Sequence, residues 1–182
     1  MIFKKENSKK NLRTLHSIQK KCIRLVNNIE KTLINETNLN YEQVSKIHFS
    51  IKDTSVILLD ELNFEKKSWI SQLCISYLNI STVIHSFIFI SYEQGKKSEF
   101  LNFFFSNLRE LLEVYESAIF HFYEHPNLAK ENFGNREIFL DRINHSMEKI
   151  SLEEKKENLF TLTSIILCEL NNIEISIRKI IY

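Results

Sequence analysis

The chain has 182 residues and a formal net charge of +1, with 43% apolar and 26% charged residues. That is long and apolar enough for one buried core, and too apolar for a disordered chain. Two glycines and one proline exclude a many-stranded sheet, which needs turn residues at each reversal, and leave little from which to build a nucleotide-cradling loop. The expected architecture is all-α and a single domain over 1–182. It is a bundle of five to six mostly long antiparallel helices, with residues 1–7 as a flexible tail.

Apolar residues recur in steps of three and four from Ser8 to Ile34, at Leu12, Leu15, Ile18, Cys22, Leu25, Ile29 and Leu33, which is one face of a long first helix. The polar run Asn35–Asn38 ends it. A second helix starts near Tyr41 and buries Val44, Ile47 and Ile51, and Asp53, Thr54 and Ser55 offer caps for a third. That third helix runs from about Thr54 to Tyr92 with a stop at Gly95, and its inward positions include Leu58, Leu62, Trp69, Leu73, Ile80, Ile84 and Phe87. The fourth covers Ser98 to His125 and is closed by Pro126. Asn127 to Asn135 reads as an irregular link, and a fifth helix follows from Arg136 to Ile150. Ser151 and Glu154 have the spacing of a capping box that opens a last helix ending at Tyr182.

From Trp69 to Tyr92 there is no Asp, Glu, Lys or Arg. The stretch is long enough to cross a bilayer, but Ser71, Gln72, Ser76, Asn79 and His85 interrupt it, and each would need a partner in hydrocarbon. Lysine pairs flank both ends and favour neither orientation. A core helix is the expected reading, with a membrane span as the alternative. The cysteines, Cys22, Cys74 and Cys168, are odd in number and without paired spacing. They are expected to be reduced and buried in a cytoplasmic protein, and no secretory h-region follows Lys4, Lys5 and Glu6.

Charge is unevenly spread. Residues 1–31 hold nine Lys and Arg against Glu6 and Glu30, whereas the rest of the chain is net acidic. Lys9, Arg13, Lys20 and Arg24 share a face away from the leucine stripe. A basic amphipathic helix can meet an acidic protein, phosphate backbones or anionic headgroups. Alternatively it is simply solvated, or neutralised by Glu99, Glu110, Glu113, Glu116 and Glu124 of the fourth helix. No aromatic residues interleave with the cations to stack single-stranded bases.

His121, Glu124 and His125 form His-x-x-Glu-His, the arrangement of the inverted zinc peptidases, in which two imidazoles one turn apart hold the metal and the carboxylate activates water. A third ligand would have to come from Glu169, Glu174 or His145, none of which the spacing singles out. The RNases among the HEPN helical bundles set a His four to six residues after an Arg. None of Arg13, Arg24, Arg109, Arg136, Arg142 and Arg178 has one there, and Arg142 with His145 is too close. A His-bearing helix before a long final helix is the extent of the likeness, so no family is assigned. Phosphate loops, Cys-x-x-Cys, Gly-x-Ser-x-Gly and Glu-x-x-His are all missing.

A non-enzymatic, cofactor-free binding protein is therefore expected, acting as adaptor, regulator or complex subunit. Another protein is the expected partner, with nucleic acid, an anionic membrane surface or a second copy as further possibilities. The alternative is a helical-bundle nuclease or a metal-dependent hydrolase.

Overall fold

The structure, a computed structural model, describes the backbone over residues 2–34, 41–62, 68–122, 124–152 and 157–182 except 95–98, and side chains over 10–33, 41–62, 68–86, 100–122, 124–152 and 158–182. Among these residues there are seven helices: α1 (Ile2–Ile34), α2 (Tyr41–Glu61), α3 (Trp69–Gln94), α4 (Glu99–His121), α5 (Pro126–Gly134), α6 (Arg136–Leu152) and α7 (Glu157–Ile181). Six are long and one is short, so the all-α bundle is as expected.

Cross-helix bonds show the antiparallel order directly. Between α1 and α2, Lys10 meets Glu61 while Lys21 meets Ser50 and Thr54. Between α2 and α3, Ser45 pairs with His85 and His48 with Ser81. Between α3 and α7, Asn79 donates to Glu169, and Ser176 donates to Gln72. In each pair one number rises as the other falls.

The core follows the helical period. Leu15, Ile18, Cys22, Leu25 and Ile29 of α1, Leu73, Tyr77, Ile80 and Ile84 of α3, and Phe104, Phe105, Leu108, Leu112 and Tyr115 of α4 are all buried. Helix α3 packs against α1, α2 and α7, and its described inward face carries the buried serines 71, 76 and 81 among the apolar residues. The uncharged stretch is thus a core helix of the bundle. Several of its polar groups find partners there, Gln19 of α1 donating to the Tyr77 hydroxyl at 3.1 Å and His48 pairing with Ser81, while the buried Ser71 hydroxyl has none among the described residues.

Several boundaries differ from those the sequence suggests. Helix α1 starts at Ile2, so the expected tail at 1–7 is helical from there. The chain does not break at Asp53–Ser55. These residues lie inside α2, where the Thr54 hydroxyl donates back to the Ser50 carbonyl and so has no need of a cap position. The single long helix from Thr54 to Tyr92 is replaced by α2 and α3, separated at residues 62–68. The expected irregular link at Asn127–Asn135 is α5, with Pro126 at its first turn, where a missing N–H costs nothing. Ser151 does not open the last helix: it belongs to α6 and donates to Glu148. Its intended partner Glu154, like Asn35–Asn38, Gly95 and the side chains of Phe87 and Glu99, lies outside the described residues.

Helix α6 is pinned to α7 by an ion pair invisible in the sequence. Arg136, 5% exposed, donates to Glu174 at 3.0 Å and to the Phe133 carbonyl at 3.0 Å, and stacks on the Phe133 ring. Burial works against the Glu174 carboxylate, but the hydrogen bonds of Arg178 and Arg136 outweigh it and hold its pKa below the ordinary value. Cys22 and Cys74 are buried as expected, and burial pushes the Cys22 thiol up to about 12. Cys168 is exposed on α7 instead, since its position falls on the outward side of that helix.

Candidate macromolecule-binding surface

Helix α1 sorts its cations into two groups. Lys10 and Lys21 lean over α2, where Lys10 Nζ lies 2.6 Å from Glu61 and Lys21 Nζ donates to Thr54 at 2.8 Å. Arg13, Lys20, Arg24 and Lys31 are exposed. At about 100° per residue these four fall within roughly 40° of one another, and about 180° from Leu15, Cys22 and Ile29 in the core. They form one row about 27 Å long at 1.5 Å per residue. No carboxylate pairs with any of the four among the described residues. Lys31, in the last turn, also complements the helix dipole.

The described acidic residues of α4 do not pair with this row. Glu116 lies 3.0 Å from His16 Nδ1. Glu110 and Glu113 are taken by Arg109 of their own helix, at 2.7 and 3.0 Å. Arg109 reaches further and binds Glu30 of α1 at 2.7 Å. Partial burial opposes the guanidinium charge, but the hydrogen bonds it donates to Glu30 and Glu113 prevail and raise its pKa. Glu30, the one acidic residue of α1 whose side chain is described, is therefore neutralised. Among the described residues, the alternative of neutralisation of the row by α4 does not form.

Of the residues expected to make the surface, Arg13, Lys20 and Arg24 do share the exposed row, while the side chain of Lys9 lies outside the described residues. Two contributors were missed. Lys31 continues the row by a step of seven from Arg24, a spacing legible in the sequence. Phe120 of α4 is 56% exposed and stacks on His16 with centroids 5.1 Å apart. It brings an aromatic residue to the edge of the cations, which nothing in the sequence of α1 announces.

The metal candidates are arranged differently from a zinc site. Helix α4 ends at His121, so Glu124 and His125 lie beyond it, although the His125 N–H still donates to the His121 carbonyl at 2.8 Å and keeps the two histidines one turn apart. The two rings stand 6.1 Å apart and tilted by 46°, and Glu124 and His125 are exposed. The nominated third ligands are engaged elsewhere: Glu169 with Asn79 and Asn172, Glu174 with Arg136 and Arg178, and His145 near Glu148. No group of three metal-ligating side chains occurs among the described residues.

In comparisons with known proteins, no family model, no curated protein and no solved structure matches this chain.

Proposed function

We propose that this chain is a non-enzymatic helical binding protein, and that the α1 row receives an acidic surface of a protein partner. The supporting observation is the four exposed cations in line, opposite the core and without a carboxylate partner among the described residues. An unbalanced row of this kind repels itself and gains energy when a row of carboxylates is brought against it. Phe120 at its edge favours a protein over a polyphosphate: protein interfaces combine an aromatic anchor with arginine, whereas a strand of bases calls for repeated stacking platforms. The complementary partner is a helix or strand edge with acidic residues over about 27 Å.

The test compares a poly-glutamate peptide, a short DNA duplex and single-stranded RNA as probes across a salt series. Binding to the peptide that is lost in Arg13→Glu/Arg24→Glu is the expected result. Tighter binding to duplex, with a log–log salt slope of roughly −3.6 for four phosphates, would replace the partner class. If none of the three probes binds, the row is a solvated face and the reading fails.

A further inference from the structure

Helix α2 is an edge of the bundle: among the described residues it packs on α1 and α3 alone. Its second half is tied to α1. Lys21 reaches the Ser50 carbonyl at 3.4 Å and Thr54 at 2.8 Å, and Lys10 reaches Glu61 at 2.6 Å. Its first half is tied to α3 by two histidines, one from each helix. His48 of α2 lies 3.1 Å from the Ser81 hydroxyl, and His85 of α3 lies 3.0 Å from the Ser45 hydroxyl. The two rings stack between these bonds, with centroids 4.6 Å apart and planes 17° from parallel. Phe49 and Tyr41 of α2 flank the stack.

The arrangement suits neutral imidazoles. Ser81 donates its one hydroxyl proton to the Leu78 carbonyl at 3.0 Å, so it accepts from His48 Nδ1 and assigns the proton of the neutral ring to that nitrogen. His48 Nε2 is left to take up a second proton. The charge so formed would face cations on both helices: Lys52, one turn on along α2, and His85 of α3 once that ring is protonated. Helix α1 brings no titratable group to it among the described residues, and Glu42, earlier on α2, is held by Lys46 at 2.7 Å. His48 is only 7% exposed, so little water screens two charged rings stacked at this distance.

We propose that this stacked pair is an acid-released latch: when both imidazoles are charged, the first half of α2 leaves α3 while the second half stays on α1. An edge helix held at two places by different means can open at one of them without unfolding the rest. The lysine ties of the second half do not titrate with histidine, so acid acts on the first half alone. Release uncovers Val44 and Ile47, both buried when the latch is closed, and so presents an apolar strip only in acid. Burial holds both histidines below their ordinary pKa. The latch is therefore closed at neutral pH and opens as pH falls below about 6.5.

Thiol labelling of the full chain separates local release from general loosening. Val44→Cys in a Cys168→Ser background places a thiol under the latch, and the buried Cys22 and Cys74 are internal controls. A pyridyl disulfide reports exposure, because it reacts with thiols in acid as well as at neutral pH. Relative to a free cysteine peptide at each pH, position 44 should react at least about ten-fold faster at pH 5 than at pH 7.5, with Cys22 and Cys74 unchanged. His85→Gln, which keeps a hydrogen-bonding partner for Ser45 but takes no charge, should remove the acceleration. Hydrogen exchange of the unsubstituted chain gives a second measurement: amides 43–49 should lose protection in acid ahead of those of α4. Acceleration shared equally by Cys22 overturns the latch, as does one that survives His85→Gln. So does unchanged protection of amides 43–49 at pH 5. None of these measurements involves the α1 row.

Discussion

Arg109 of α4 holds Glu30 of α1 at 2.7 Å, so the basic helix and the acidic helix are joined by a pair of the opposite polarity to their overall charges. Glu30 is 7% exposed and would be left without its cation if Arg109 were removed. Arg109→Ala should cost about 2–3 kcal/mol, less than a fully buried pair because part of the guanidinium is wet. That corresponds to a fall in Tm of about 4–12 °C in a chain of this size. Glu30→Gln on the Arg109→Ala background should recover part of it. A double-mutant cycle with no coupling would show that the pair is incidental.

The row on α1 behaves differently. Arg13 and Lys20 are exposed and make no ion pair among the described residues, so Arg13→Glu/Lys20→Glu should move stability by no more than about 0.5 kcal/mol per site. Binding of an acidic polypeptide should be lost by the same protein. A clear fall in Tm would mean that the row is paired within the chain.

Two buried tyrosines should respond with opposite sign to the same substitution. The Tyr77 hydroxyl accepts from Gln19 Nε2, so Tyr77→Phe strands a buried amide at a cost of about 1–3 kcal/mol. The Tyr115 hydroxyl is buried with no hydrogen-bond partner among the described residues. Tyr115→Phe is therefore expected to be neutral or stabilising by up to about 1 kcal/mol. Urea unfolding of both variants decides; equal losses would contradict the assignment.

His48 and His85 stack with centroids 4.6 Å apart between α2 and α3. Burial, then the charge of His85 and that of Lys52, hold the His48 pKa below its ordinary value, and burial lowers that of His85. Burial lowers His16 as well, against the pull of Glu116. The unfolded chain takes up these protons near pH 6.5, before the folded chain does. Stability is therefore full above that pH and falls as pH drops through the lower folded values. A urea midpoint lower at pH 5 than at pH 7.5 is expected, with His85→Gln flattening the difference. A midpoint that is constant or rises toward pH 5 would rule this out.

The His121 and His125 pair should not retain zinc. Purified protein exposed to zinc and then desalted is expected to contain well under one metal per chain, with or without His121→Ala. One zinc per chain, lost in that variant, would revive the hydrolase reading.

Helix existence was legible because period and burial agree: Leu15, Ile18, Cys22, Leu25 and Ile29 were read as inward and are buried. Boundaries were less so. Asp53, Thr54 and Ser55 are good cap residues, yet Thr54 satisfies its hydroxyl inside the helix through Ser50 and also accepts from Lys21 of another helix. Pro126 was read as closing the fourth helix at His125, whereas α4 ends at His121 and Pro126 instead opens α5. The cationic row was visible as spacing, but whether it was already neutralised depended on where Arg109, ten residues beyond the start of α4, would aim its fork. Phe120 came to its edge through the packing of α4 on α1, a contact between residues about a hundred apart in the chain.

The hydrogen bond from Gln19 to Tyr77 has a geometric corollary. On α1 the bonded residue faces inward, away from Arg13 and Arg24, and on α3 it faces inward, away from Ile75 and Asn79. The two outward surfaces thus look in opposing directions with the core between them, and an occupant of one leaves the other unobstructed. Substitutions on one of these surfaces are therefore insulated from the other by the full width of the core.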